Sequence, residues 1–454
     1  MMQDQGLLEF KSFFGNLQAG SNTAPITFRS RIDGSGKVEF DFGAIVLTKE
    51  TSFIMKWWDG EGSRPGYFSL SGKAEDGTEF KTVDLHFNSL ANKWCKETGS
   101  RMSPIGGCSR AEFHRKLAAQ TPKPTLRMYV KGFQNLRQLS SECCLGIVAM
   151  VGESSINDPD NITGYIAVQS DNEPADLTAW HAQADKLLEH IRRVMSFASA
   201  TVLKRPVIEF YSGDDLKVVA LTQTRQLSTP FRTFHYLNQQ PVFDAAVTSF
   251  FNPPFELKNF FFAIEWFAME ATYKEVSLVN VMTALENLVA SNLGVNDKLI
   301  QPKKEFKILR KVLKQRIEKW STDEANIANG IVGELDEKLA ELNRRSLLNN
   351  LMILTQRWSV PLDGIGEDKI NAAKKARDLI VHQGHYPNDG KDVNDDLWEH
   401  VTVIREIVVR FLLTAIGYRG GYFSYIGGCH DAQFPPQADD KNAKQSTPQQ
   451  TTGY

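Results

Sequence analysis

The chain has 454 residues, 42% of them hydrophobic and 10% aromatic, so there is ample material for packed cores. At roughly 150 residues per domain the length sets an expectation of two or three domains. Lysine and arginine number 52 against 54 aspartates and glutamates, a formal net charge of -2, which excludes a chain that coats nucleic acid or membrane through bulk charge and leaves only a local patch for any polyanion.

Up to about residue 235 the sequence reads mainly as strands, with β-branched and aromatic residues in short runs separated by Gly, Asp and Asn turns. The runs are ITFRSRI, KVEFDFGAIVL, FIMKWW, GYFSLSGKAEDGTEFKTVDLHF and TLRMYVKGF. In EFKTVDLHF the alternation puts Phe80, Thr82, Asp84 and His86 on one face and Val83, Leu85 and Phe87 on the other, a half-buried antiparallel strand with His86 on the more polar side. Five cysteines are too few and too scattered for a disulfide framework. Cys143 and Cys144 would point to opposite faces of a strand, and Cys95, Cys108 and His114 match no zinc spacing, so no metal site and no cofactor are expected. One helix interrupts the strands: DLTAWHAQADKLLEHIRRVMSFASA has Asp176 or Thr178 as cap and a stripe of Trp180, Ala184, Leu187, Leu188, Ile191 and Met195. VIEFY and LKVVALTQ, joined by SGDD, read as a hairpin.

The stretch from Thr229 to Pro254 holds Pro230, Pro241, Pro253 and Pro254, and the character of the sequence changes across it from β-rich to helical. The expected organisation is α+β: a β-rich N-terminal domain over 1–235, a linker over 236–255, an all-α bundle over 256–428 and a disordered tail over 429–454, polar and rich in Pro and Gln. FELKNFFFAIEWFAMEATYKEVSLVNVMTALENLVASN reads as one long helix or two abutting ones, ending at Gly294, and no stretch reaches the ~20 apolar residues of a membrane span. The start, MMQDQGLLEFKS, has no basic segment followed by an apolar run, so no secretory signal is expected and the cytoplasm is the expected compartment.

In KKEFKILRKVLKQRIEKW, Phe306, Leu309, Leu313, Ile317 and Trp320 fall at steps of three and four. Lys303, Lys304, Lys307, Arg310, Lys311 and Lys314 contribute to a local excess of about +6, which reads either as the solvated face of a bundle helix or as a surface that tracks phosphates. VNDDLWEHVTVIREIVVRFLLTAIGY places Leu397, Val401, Ile404, Val408, Phe411 and Ala415 on a core-facing or dimer-facing seam, with Asn394 or Asp395 as its cap.

Between these helices lies GEDKINAAKKARDLIVHQGHYPNDG, where Ile370, Ala373, Ile380 and Val381 define an apolar stripe with Arg377 in its middle. A guanidinium keeps its charge, so one that is partly buried must pair with a carboxylate, a carbonyl or a phosphate. His382 lies five residues on, roughly 140° around an ideal helix, while Gly384 and Pro387 mark the helix end and His385 adds a second imidazole there. Two arrangements stay open. Arg377 pairs with Glu286 or a similar carboxylate while His382 caps the last carbonyls, or Arg377 and His382 converge on a pocket at the helix terminus.

RDLIVHQG, in a helical region that begins with SLVNVMTALENLV, resembles the R-x4-6-H signature of the HEPN superfamily, and a β-rich domain ahead of such a bundle resembles the ApeA-like proteins. The resemblance covers about residues 256 to 428. It implies an endoribonuclease that needs no metal, acting in prokaryotic anti-phage defence of the abortive-infection kind, as a homodimer whose paired motifs build one composite site. Carried over by position, Arg377 and His382 are its catalytic pair, Glu286 is the acid that orients them, and Asp378 stands where the family often has Asn, His or another polar residue. The implied partners are RNA, tRNA among the candidates, a second copy of the chain and a phage-derived trigger, with no membrane.

These residue types suit the chemistry. RNA supplies its own nucleophile in the 2′-OH, so cleavage needs a base, an acid and positive charge where the phosphorane forms. Histidine, which in a free peptide titrates near ~6.5, and arginine, which clamps two phosphate oxygens, supply these, and a two-fold axis would bring both copies to one phosphate. Two other readings stand beside this one. The bundle is a catalytically silent nucleotide- or RNA-binding or dimerisation module, or the protein acts through a β domain whose aromatics Trp57, Trp58 and Tyr67 bind a carbohydrate or protein ligand. No Walker loop, paired zinc motif or G-x-S-x-G elbow occurs in the sequence.

Overall fold

The computed structural model describes residues 7–58, 67–95, 99–133, 137–152, 160–223, 231–256, 258–323, 329–386 and 393–436. The chain divides into two compact units, Met1–Phe251 and Asn252–Tyr454, each taken by itself below. The fold is α+β, with a large antiparallel sheet in the first unit and helices dominating the second.

The first unit runs through β1 (Lys11–Ala19), β2 (Asn22–Ile32), β3 (Val38–Asp41), β4 (Ile45–Val46), α1 (Ser52–Trp58), β5 (Phe68–Ala74), β6 (Glu79–Cys95), β7 (Gly99–Gly107) and β8 (Arg110–Lys131). It continues with β9 (Leu139–Cys143), β10 (Gly146–Gly152), β11 (Gly164–Gln169), α2 (Leu177–Ser199), β12 (Lys204–Leu221) and α3 (Gln240–Phe251). Among the described residues the main path of the sheet is β3-β2-β1-β5-β6-β8-β11-β10-β9, with β12 also on β8, β7 on β6 and β4 on β7. Period-two burial places Ala24, Ile26, Phe28 and Ile32 of β2 inward, where Phe28 stacks on Phe13 at 5.2 Å and meets the edge of Phe80 at 5.3 Å.

The helix α2 follows its sequence closely. Asp176 caps it by accepting from Ala179 N at 3.0 Å, and Trp180, Ala184, Leu187, Leu188, Ile191 and Met195 are all buried. Several strand readings are corrected. FIMKWW is helix α1, because Thr48 and Thr51 exchange side-chain and backbone hydrogen bonds just before it and wind the chain into a turn. In β6 a register shift between Phe68/Leu85 and Leu70/Thr82 advances the alternation, so Phe80, Thr82 and then Leu85 are buried while Val83 is exposed. Cys143 and Cys144 sit where β9 turns into β10, the first ending a strand and the second in the turn.

VIEFY and LKVVALTQ are two halves of one strand rather than a hairpin. Both pair with β8, and register shifts between Tyr211, Gly213 and Asp215, with Gly213 at φ 60, make a bulge where a reversal is expected. The bulge changes the phase, so Val207 and Tyr211 before it and Leu216 and Val218 after it all face the same core. The expected linker over 236–255 contains α3, packed in the first unit. Pro241 is the second residue of that helix, where a missing N–H costs nothing, so here proline marks a helix start. Pro230 lies outside the described residues.

The second unit holds α4 (Phe260–Ala268), α5 (Lys274–Asn292), α6 (Lys303–Asp323), α7 (Asn329–Glu341), α8 (Leu347–Trp358), α9 (Glu367–Gln383), α10 (Val393–Ala415), β13 (Gly420–Ser424) and β14 (His430–Phe434). The long helical run is two helices, broken where Met269 and Tyr273 take extended conformations. At the centre of the unit is α10, whose residues are buried on every side from Val401 to Leu413, so the expected seam is a core element of the single chain. Packed on α10 are α5, α8 and α9. Asn394 and Asp395 already lie within the helix rather than capping it.

The first part of the expected disordered tail is ordered: β14 pairs antiparallel with β13. Phe434 is buried against Tyr422, whose hydroxyl donates to Glu406 of α10 at 2.5 Å, an anchor that average composition hides. Residues 437–454 lie outside the described residues. Among the described residues no helix is long and apolar enough to cross a membrane.

Candidate functional site

The helix α9 opens at Gly366, carries Glu367 and Asp368 in its first turn, and buries Ile370, Ala373, Ala376 and Ile380. Val381, expected on this stripe, is 54% exposed. Arg377 adjoins the buried stripe with its side chain 22% exposed, and it meets Glu286, which α5 presents from the neighbouring position in the bundle. Nη2 of Arg377 donates to Glu286 Oε1 at 2.5 Å and Nη1 donates to Asp378 Oδ1 at 2.9 Å. Nε is buried and has no hydrogen-bond partner among the described residues.

Asp378 is shared. Lys374, one turn earlier on α9, donates to its second oxygen at 2.6 Å. Burial alone would raise the Asp378 carboxyl, but the hydrogen bonds and charges of Lys374 and Arg377 outweigh it and hold the group below the usual carboxylate range. Two cations and two carboxylates thus close a neutral cluster around the guanidinium. Lys374 is the member that the R-x4-6-H pattern does not point to; its place four residues before Asp378 is the signal that could have found it.

His382 is in the last turn of α9 and is exposed, with no hydrogen bond among the described residues. The helix stays regular through Gln383 and ends at Gly384, which takes φ 79 and donates its N–H to Ile380 O at 2.8 Å. A regular helix separates Arg377 from His382 by roughly 140°, so within one chain the guanidinium turns to α5 and the imidazole to solvent. His385 is exposed, with Nδ1 3.2 Å from Gln383 O.

The basic helix α6 packs on α7 and splits its charges. Arg310 and Lys314 both reach Asp336 of α7 at 3.1 Å, whereas Lys303, Lys304, Lys307 and Lys311 are exposed with no carboxylate in bonding distance among the described residues. In the first unit, His114 bonds Asp215 at 2.8 Å and burial pushes the Cys108 thiol up to about 12, so neither is disposed as a metal ligand. Among the described residues no group of three or more His, Cys, Asp or Glu could hold a metal ion. The side chains of Trp57 and Trp58 lie outside the described residues; Tyr67 is exposed and its ring meets His86 edge-on at 6.2 Å.

Compared with known proteins, the chain matches no family model, no curated protein and no solved structure.

Proposed function

We propose that the protein is an endoribonuclease of the HEPN kind that cleaves RNA by 2′-OH attack, with Arg377 and His382 as its catalytic pair and a homodimer as its working form. The observation that carries this reading is the fixed guanidinium: Glu286 holds Arg377 at 2.5 Å one and a half turns before an exposed, unbonded imidazole at the helix end. A partner's α9 end brought against this one would add a second imidazole and a second guanidinium, giving acid, base and charge stabilisation on one phosphate. The exposed lysines of α6 offer a local phosphate-attracting surface on a chain whose overall charge is close to neutral. On this reading the protein acts in the cytoplasm of a prokaryote against phage, tRNA is among its substrates, and the β-rich unit senses the trigger.

One observation favours a second reading, a catalytically silent bundle that binds nucleotide or RNA, or that dimerises: both amino groups of Arg377 are already engaged by carboxylates. Incubating the purified protein and its Arg377→Ala and His382→Ala variants with total cellular RNA separates the two. The nuclease reading expects cleavage by the parent and its loss in both folded variants. Equal cleavage by all three, or none by the parent, removes it.

A further inference from the structure

The first unit carries a groove of ≈ 870 Å³ on the outer face of its sheet, within the size range of small-molecule sites. Its floor is a row of side chains that strand register sets side by side: Phe14, Lys73, Glu79, His114 and Lys217, from β1, β5, β6, β8 and β12. The next row carries Lys81 directly opposite Glu112. One wall is the first part of α2, where His181 meets the ring of Phe210 edge-on at 4.4 Å and Asp185 follows one turn later. The groove exists because β8 and β12 are longer than the helix that covers them: α2 packs on β8 and on β11, which pairs with β8 at Thr125–Val130, and the groove opens along Arg110, Glu112 and His114 of β8.

Charge and apolar surface are arranged in order along this floor. Phe14, 66% exposed, presents a bare ring at one end. In the middle, Lys73 is matched by Glu79 at 3.1 Å and Arg110 by Glu112 at 2.7 Å. Lys81 and Lys217 have no carboxylate in bonding distance among the described residues, and both are exposed. At about 4.8 Å per strand, Lys81 stands about 10 Å from Phe14 across the sheet and Lys217 about 10 Å farther along. An extended, negatively charged chain joined to a ring lying on Phe14 spans the distance to these two cations. Asp185 stands on the α2 wall at the Lys217 end, where both charges act on His181.

We propose that this groove binds a small ligand in which a planar heteroaromatic ring is joined to an extended polyanion, the chemical class being a nucleoside polyphosphate. The ring stacks on Phe14 and the polyanion spans Lys81 and Lys217. The site lies in the β-rich unit and needs nothing of Arg377 or His382, so binding here stands or falls separately from RNA cleavage.

The test is calorimetric titration of the full-length protein with ATP, GTP, CTP, UTP, tripolyphosphate, adenosine and a single-stranded RNA oligonucleotide at several fixed ionic strengths. The expected result is saturable ATP binding at least tenfold tighter than that of adenosine or tripolyphosphate. Phe14→Ala should weaken ATP on the order of tenfold, as loss of a base-stacking platform does. Lys81→Ala with Lys217→Ala should weaken ATP and flatten its salt dependence while adenosine binding is unchanged. All three positions are exposed, and circular dichroism checks that each variant is folded. The proposal is overturned if ATP, GTP, CTP and UTP all fail to bind, if these substitutions leave ATP binding intact, if tripolyphosphate matches ATP, or if the RNA oligonucleotide binds tighter than ATP through the same side chains.

Discussion

Arg377 and Glu286 are 91 residues apart in the chain and joined by a single charge-assisted hydrogen bond of 2.5 Å that ties α9 to α5. Neither side chain is fully buried, so solvent screens the pair and its net worth is modest. A double-mutant cycle with Arg377→Ala and Glu286→Ala should give a coupling energy of about 1 kcal/mol in urea denaturation. A coupling near zero would mean that the bond does not persist in solution.

Asp378 makes the cluster around Arg377 neutral. Its carboxyl is held below the ordinary carboxylate range, so it remains charged throughout the physiological range and opposes a phosphate there. Asp378→Asn leaves the cluster with a net positive charge and replaces the charged acceptor of one Arg377 amino group with a neutral one. It should tighten RNA binding severalfold and raise cleavage, measured by filter binding and by initial rates. Unchanged binding would show that phosphate does not approach this face.

In the first unit, His190 of α2 lies 3.1 Å from Ser249 Oγ of α3, and burial, aided by the Arg193 charge, pushes its imidazole down to about 4. The native state therefore holds His190 neutral, while in the unfolded chain it titrates near 6.5. Stability from this group is fully present above about pH 6.5 and declines as pH falls toward 4, because only the unfolded state gains the proton. Between pH 7.5 and 5.5 the parent should lose about 1 kcal/mol more than His190→Gln, read from denaturation midpoints. Parallel pH profiles would place the imidazole in contact with water.

Six basic residues of α6 fall into two sets. Lys303, Lys304, Lys307 and Lys311 are exposed and unmatched, whereas Arg310 and Lys314 are committed to Asp336. Replacing the four with alanine should weaken RNA binding and reduce the slope of log affinity against log salt by about 0.7 for each phosphate no longer neutralised. Arg310→Ala with Lys314→Ala should act mainly on the stability of the α6 and α7 pairing. The opposite ranking in a salt titration would assign the surface elsewhere.

What is legible in the sequence is what local pattern controls. The cap and stripe of α2 follow from Asp176 and apolar residues at helical spacing, and the burial of α10 follows from its run of aliphatics. The turn at Gly384 is legible for the same reason, since a left-handed residue ends a helix. Three features differ from their expected local reading, two of them because of pairings across the chain. Gly213 makes a bulge rather than a reversal because β8 is long enough to pair with both flanking segments. Pro241 starts a helix rather than breaking one, and Phe434 is ordered because Tyr422 packs against it. At the site, the Arg377 and Glu286 pairing is one of two arrangements the sequence leaves open, whereas the neutralising role of Lys374 shows only once Asp378 is seen bridging two cations. The rows of the β-sheet groove are not readable locally, since five strands contribute one residue each.

If an imidazole and a guanidinium cut RNA through its own 2′-OH, the chemistry of the new ends reports it directly. RNA cleaved by the purified protein in EDTA should carry 2′,3′-cyclic phosphate and 5′-hydroxyl ends, with cleavage abolished in His382→Ala. Products ending in 3′-hydroxyl and 5′-phosphate, or undiminished cutting by that variant, would contradict the assignment of Arg377 and His382 as the catalytic pair.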